Sequence, residues 1–275
     1  MGQKRTHQRR HLLVYVLLLI GLFLGPALFP ASARESLPTD GPRCSEKRPA
    51  YKLTPKQLAI SLSAQARIQS RVGDRIIRQE SRDLDTLYAK AAEADVEVRR
   101  ITRSIAEQTG GTAVFPPGGR LKGRQRADEK ILVELGGDAS GLMDIARSSI
   151  GYATVDKVYQ ALQFILYNGY DIVRMKDRAL DPLATGFWNI HLNIRMSNRH
   201  IVELQLQLME ILRYSLGEGH KLYEQVRGIE ADAVREGRSL TPEEMARIDE
   251  LNQEQRRFYE AAFQRGQAGI RGIAD

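Results

Sequence analysis

Residues 170–208, YDIVRMKDRALDPLATGFWNIHLNIRMSNRHIVELQLQL, decide the fold. The stretch reads as three β-strands, and two of them alternate polar and apolar residues strictly. In Asn189–Met196, the residues Asn189, His191, Asn193 and Arg195 share one face, and Ile190, Leu192, Ile194 and Met196 share the other. In Ile201–Leu208, the face of Glu203, Gln205 and Gln207 opposes Val202, Leu204, Leu206 and Leu208. A three-residue hairpin loop at Ser197, Asn198 and Arg199 sets Asn193 opposite Glu203, His191 opposite Gln205 and Asn189 opposite Gln207. A two-residue loop breaks that match, because a slip of one residue turns every side chain to the other face. The first strand adds Arg174 and Lys176 on one side of the pleat, followed by Asp177. Taken alone, the pattern fits an ordinary antiparallel sheet with one solvated face. A chemical role for the polar face is the sharper reading.

Outward from this stretch, Gly141–Ala153 reads as the first core strand, Val155–Asn168 as a helix and Tyr170–Arg178 as the next strand. Before them, TAVFPPGG at 112–119 is a turn-rich loop, and Arg120, Lys122, Arg124 and Arg126 follow it into a helix through Leu135. Cations beside a helix N-terminus suit phosphate oxygens, since backbone N–H groups and guanidinium forks both complement them. A solvated basic turn is the plainer reading, and the stretch has no Walker lysine motif. Thr54-Pro55-Lys56-Gln57 is a capping box with proline at the first helical position. Apolar residues at helical spacing then run to Gly110-Gly111, enough for two or three helices with breaks near Gly73 and Asp95. They suit a helical layer on the sheet; a partner-binding coiled coil would need heptads that this stretch does not sustain. Met209–Glu236 reads as helix with a break at Gly217-Glu218-Gly219, and Thr241-Pro242-Glu243-Glu244 opens a final charged helix to about Gln264. This order of elements predicts an α+β fold, a sheet with helices packed on it.

The N-terminus has another character. Lys4, Arg5, Arg9 and Arg10 precede an apolar run at 12–24, and Ala31-Ser32-Ala33 is a small-residue cleavage pattern before Arg34. All three parts of a secretory signal peptide are therefore present. The alternative is an uncleaved membrane anchor through residues 12–33. Either predicts export, to the periplasm or beyond, or tethering at the membrane. The net charge of +7 comes from 41 basic and 34 acidic residues; four basic and no acidic residues precede Arg34, which leaves +3 for the remainder. That balance gives no support for DNA binding. The single cysteine, Cys44, excludes an internal disulfide.

The order of polar residues resembles the synthetase domain of the RelA/SpoT family. Arg174–Asp177 is similar to its basic-x-Lys-Asp strand, Gly186–His191 to its Gly-aromatic-x-x-x-His segment, and Glu203–Gln205 to its Glu-x-Gln strand end. Gly119-Arg120-Leu121-Lys122 resembles its basic segment, Asp144-Ile145-Ala146 the start of its metal-binding strand, and GEGHKLY at 217–223 the segment after its last strand.

The resemblance implies a nucleotidyltransferase-like mixed sheet flanked by helices, with an N-terminal helical region and a C-terminal helix. It implies Mg²⁺-dependent transfer of pyrophosphate from ATP to the 3′-hydroxyl of a nucleotide or RNA acceptor, as in guanosine tetraphosphate synthesis. Asp144 and Glu203 would be the catalytic carboxylates and metal ligands. Arg120, Lys122, Arg147, Arg174 and Lys176 would hold the phosphates of ATP, and Phe187, His191 and Gln205 would face the acceptor, with Phe187 stacked on its base. Three departures bear on activity: Phe187 replaces the usual tyrosine, Gln207 an arginine of the Glu-x-Gln-x-Arg pattern, and Ser149 an arginine five residues after the metal aspartate. Small or toxin-like members fit best. Export then suggests a delivered toxin or effector, with an immunity protein or antitoxin as partner. The competing reading is a catalytically degenerate member acting as an envelope binding or scaffold protein. The predicted organisation is a signal segment at 1–33, a linker at 34–53, a helical region at 54–111, the RelA/SpoT-like domain at 112–236 and a C-terminal helix at 237–275.

Overall fold

The computed structural model describes residues 51–119 and 121–269. The signal segment, Cys44, nearly all of the linker, and the candidate phosphate ligand Arg120 lie outside the described residues. Among the described residues, no helix is long and apolar enough to cross a membrane.

The hairpin forms as its alternation demands. Strands β4 (Ile190–Arg195) and β5 (Ile201–Leu208) pair antiparallel, with Asn193 opposite Glu203 and His191 opposite Gln205. Met196 and His200 extend the ladder by one bond of 2.9 Å, which leaves Ser197, Asn198 and Arg199 as the loop. Arg199 takes the left-handed conformation, φ 68°, that the third residue of such a loop requires.

Around this hairpin the sheet takes the order β1-β2-β5-β4-β3, where β1 is Thr112–Val114, β2 is Arg147–Tyr152 and β3 is Ile172–Asp177. β2 and β5 run parallel and the other neighbours antiparallel, so the sheet is mixed, as expected. Two expectations need correction. The loop at 112–119 supplies the edge strand β1 in its first three residues; they are too few to show alternation in the sequence. The first core strand is shorter than its apolar run, because a 3₁₀ turn occupies Ala139–Gly141 and an irregular segment carries residues 142–146 up to β2.

The apolar face carries the helices. Ile190, Leu192 and Ile194 of β4 and Val202, Leu204 and Leu206 of β5 are each at most 1 % exposed. Each such side chain contributes about 1.5–3 kcal/mol by leaving water. Helix α1 (Pro55–Val72) packs on β3, and helix α2 (Leu84–Thr109) on β1, β2 and β5. α2 meets the core through Leu87, Ala91, Ala94, Val98, Ile101 and Ile105, a helical stripe whose alanines let it approach closely. It runs unbroken through Asp95, because that residue forms an i,i+4 pair with Arg99 at 2.5 Å instead of capping a new helix. α3 (Arg124–Val133) precedes β2, and α4 (Val155–Tyr167) joins β2 to β3. After β5 come α5 (Met209–Leu216), α6 (Glu218–Arg235) and α7 (Pro242–Gln267). Thr54 and Thr241 both form the capping boxes read from their sequence.

Asp177 is a buried joint between layers. Its carboxylate accepts from Ser61 of α1 and Tyr159 of α4, both at 2.7 Å, and from the Ala179 N–H at 2.9 Å. Burial raises its pKa despite these bonds. His200, at the hairpin base, is 1 % exposed, and burial pushes its pKa down to about 4. The unfolded chain therefore takes up this proton first as pH falls, so the contribution is complete above pH 6.5 and lost on the way down to about 4. Thermal unfolding followed across that window should show a steeper loss of stability in the natural chain than in His200→Gln.

Candidate active site

The polar face of the sheet is not solvated. Asn193 is 0 %, Gln207 1 % and Glu203 6 % exposed. Strand pairing arranges it in rows. One row runs Arg147, Glu203, Asn193, Arg174 across β2, β5, β4 and β3; the next runs Ser149, Gln205, His191, Lys176. The first row thus holds a carboxylate with an arginine at either end. Arg174 donates from Nε to Asn193 Oδ1 at 2.8 Å, and Asn193 reaches the Met143 carbonyl at 3.5 Å, which ties the row to the segment that carries Asp144.

Asp144 stands just before β2, within that irregular segment. Its Oδ2 accepts from Lys122 and from Lys130, both at 2.9 Å. Burial alone would raise its pKa, but the two ammonium groups hold it well below the usual carboxylate range. Its Oδ1 is buried without a hydrogen-bond partner. Lys122 is set in place by its own backbone, which donates to the Ile145 carbonyl at 2.9 Å and accepts from the Tyr88 hydroxyl at 2.6 Å. Lys130 went unread in the sequence. On α3 it lies one turn after Ala127, which is fully buried, so its stem shares the inward face, a placement the sequence alone does not mark.

Glu203 accepts from Gln205 Nε2 through Oε1, while Oε2 lies 3.2 Å from His191 Nε2. Those ring and carboxylate atoms are within ion-pair distance but not aligned as a hydrogen bond. Burial lowers the His191 pKa, opposed by Glu203 and reinforced by Arg174, so the ring is mostly neutral at pH 7. Asn189 donates to Gln205 Oε1 at 3.1 Å, and Gln207 approaches the same oxygen at 3.5 Å. Lys176 is exposed at the β3 edge.

Of the basic segment, Lys122 reaches the site. Arg124 pairs with Asp85 at 2.6 Å and lies over the Tyr88 ring, while Arg126 pairs with Glu129 and with Glu224 of α6. Phe187 lies in the loop before β4, half-buried, its ring edge-on to Tyr259 with centroids 5.3 Å apart. A cavity of about 500 Å³ runs along the end of α7 beside Tyr51, Phe263 and Gln267; none of the candidate site residues lines it.

The donor set suits Mg²⁺. Among the described residues, no group of three or more His, Cys, Asp or Glu residues could by itself hold a metal. A magnesium ion held by one or two carboxylates, with substrate phosphates and water completing the octahedron, needs no such group. The unpartnered Asp144 Oδ1 is a hard oxygen available to it.

No protein-family model and no curated protein matches the chain. Solved structures do resemble it. The Type VI effector Tas1, in complex with its immunity protein, is 20 % identical; the match covers 66 % of this chain and 96 % of that one, with a TM-score of 0.48. Small alarmone synthetase 2 from Bacillus subtilis is 18 % identical over 66 % of this chain and 91 % of its own, with a TM-score of 0.45. A GTP pyrophosphokinase family protein from Streptococcus pneumoniae is 16 % identical over the same shares, with a TM-score of 0.44.

The lysine pair generates a stability prediction. Asp144→Asn leaves two partly buried ammonium groups without their counter-charge and should cost about 3 kcal/mol in urea unfolding. Lys130→Met should cost less, because Lys122 still neutralises the carboxylate.

Proposed function

We propose that the chain is a Mg²⁺-dependent nucleotide pyrophosphokinase. The observation that carries the reading is the placement of two buried carboxylates, Asp144 and Glu203, among Lys122, Lys130, Arg147 and Arg174 on one sheet face. Such a reaction demands positioning and charge neutralisation more than covalent chemistry.

The 3′-hydroxyl oxygen of the acceptor attacks the β-phosphorus of ATP. A new O–P bond forms, the bond from that phosphorus to the α,β-bridging oxygen breaks, and AMP leaves. Glu203 takes the hydroxyl proton. Gln205 holds one oxygen of that carboxylate in place, and the neutral His191 lies beside the other. Lys122, Lys130, Arg147 and Arg174 neutralise the phosphates, and we assign Arg120 and Lys176 to the same role. Asp144 and Glu203 would hold Mg²⁺, which when bound draws charge off the transferring phosphates. Phe187 takes the acceptor base by stacking, which needs a ring and no hydroxyl.

We assign this chemistry to residues 112–236 and read 1–33 as an export signal, cleaved or retained as an anchor. An exported pyrophosphokinase meets ATP inside a recipient cell, so a delivered toxin with a cognate immunity protein is the reading that reconciles the two.

The test is incubation of the chain with Mg²⁺, γ-labelled ATP and GDP, GTP, ADP, ATP or bulk tRNA. Label should pass to one acceptor with one AMP released per transfer, and Glu203→Gln should slow transfer by about 10³-fold, as expected for loss of a general base. ATP binding with no acceptor labelled would overturn the enzymatic reading in favour of a degenerate binder.

A further inference from the structure

The loop that carries Phe187 is irregular from Arg178 to Asn189, yet four contacts converge on its last turn. Arg256 of α7 donates from Nε and Nη2 to the Ala184 carbonyl, at 2.9 and 2.7 Å. The Tyr51 hydroxyl donates to the Gly186 carbonyl, and the Tyr51 ring leans on Phe263 of α7 at 4.5 Å. Gly186 has φ 73° and passes so close to α7 that a Cβ there would lie 3.2 Å from Arg256 Cα and 3.3 Å from the Tyr51 oxygen. Tyr259, one turn beyond Arg256, meets Phe187 edge-on. Tyr259 is itself 2 % exposed and wedged against Tyr214 of α5 at 5.3 Å.

These contacts matter because irregular loops open locally at low free energy, while a stacking residue must be held within about 0.5 Å to be useful. α7 follows β5 in the chain and contributes none of the charged residues of the site. We infer that Arg256 and Tyr259 are positioning residues: α7 clamps residues 184–187 and so presents Phe187 to the acceptor. This rests on the acceptor-side reading of Phe187 given above. A charge-assisted bond to a carbonyl is among the stronger single contacts a surface side chain can make. Arg256 also covers Gly186 with its stem, a position where the backbone approach and the positive φ both exclude a larger residue.

The test uses the full chain with Arg256→Met, which keeps the stem and removes the donors, and Arg256→Lys, which restores one. Amide hydrogen exchange at Gly186 and Phe187 should be at least tenfold faster in Arg256→Met, unchanged across β4 and β5, and partly restored in Arg256→Lys. In the transfer assay, Arg256→Met should raise the acceptor KM about five- to tenfold and leave the ATP KM unchanged. Unchanged exchange in the loop overturns the clamp. Faster exchange with both KM values rising together, or neither, overturns its role in acceptor positioning. If the natural chain transfers no label at all, the pyrophosphokinase reading has failed, and the exchange measurement alone still decides whether α7 holds the loop.

Discussion

The register between β4 and β5 is the constraint on which the rest of the molecule depends. With Asn193 opposite Glu203, Ile190, Leu192 and Ile194 of β4 and Leu204, Leu206 and Leu208 of β5 join the core under the helices, with β5 against α2 and α4, and every amide and carboxylate faces the other way. A slip of one residue would drive Glu203, Gln205 and Gln207 into the helical layer unpaired and would turn Leu204 and Leu206 out of the core. The loop at 197–199 is fastened from outside as well as within: Ser197 donates from N and Oγ to Glu97 of α2, at 3.0 and 2.6 Å. The helical layer therefore fixes the hairpin at its tip as well as along its face.

Burying the polar face raises an electrostatic problem, and Asp144 shows how the fold answers it. A lone ionised carboxylate at 8 % exposure is expensive, and so is each lysine beside it. Grouping them lets each charge be the other's solvent, and it stores two cations where phosphates are expected to arrive. Such an arrangement gains little stability over an apolar cluster of equal volume. Asp177 contrasts with it: equally buried, but held by hydroxyls and an amide with no cation among its hydrogen-bond partners, it joins α1, α4 and β3.

Period-two alternation is a strong signal, so β4, β5 and their partners in register were legible from sequence, as were both threonine capping boxes. β1 was not, since three residues at an edge show no period, and neither was the start of the run at 141–153, where burial outside the sheet looks like a strand. Within the site, Glu203, Arg174, His191 and Gln205 fell into view because strand spacing and the family resemblance point to the same side chains, and Asp144 from the resemblance alone. Lys130 did not, because a lysine among other cations on a short helix carries no mark of where it points until Ala127 is known to face inward. The inward turn of Lys122 and the outward pairing of Arg124 and Arg126 are tertiary facts. They depend on Tyr88, Asp85 and Glu224, which lie far away in the chain.

The replacement of arginine by Gln207 has a consequence for how the face divides. Gln207 lies beside Gly151, whose missing side chain is replaced by Met209, and its neighbours on the face are the amides of Gln205 and Asn189. Arg178, whose N–H bonds the Asn189 carbonyl at that end, is ion-paired with Asp181 at 2.8 Å, and among the described residues the unpartnered buried atom there is the Gln207 carbonyl oxygen. The opposite end holds Arg147, Arg174, Lys122 and Lys130. The cations beside the two carboxylates are therefore gathered at the Asp144 end. Glutamine at 207, 1 % exposed, fills that end without burying a further charge.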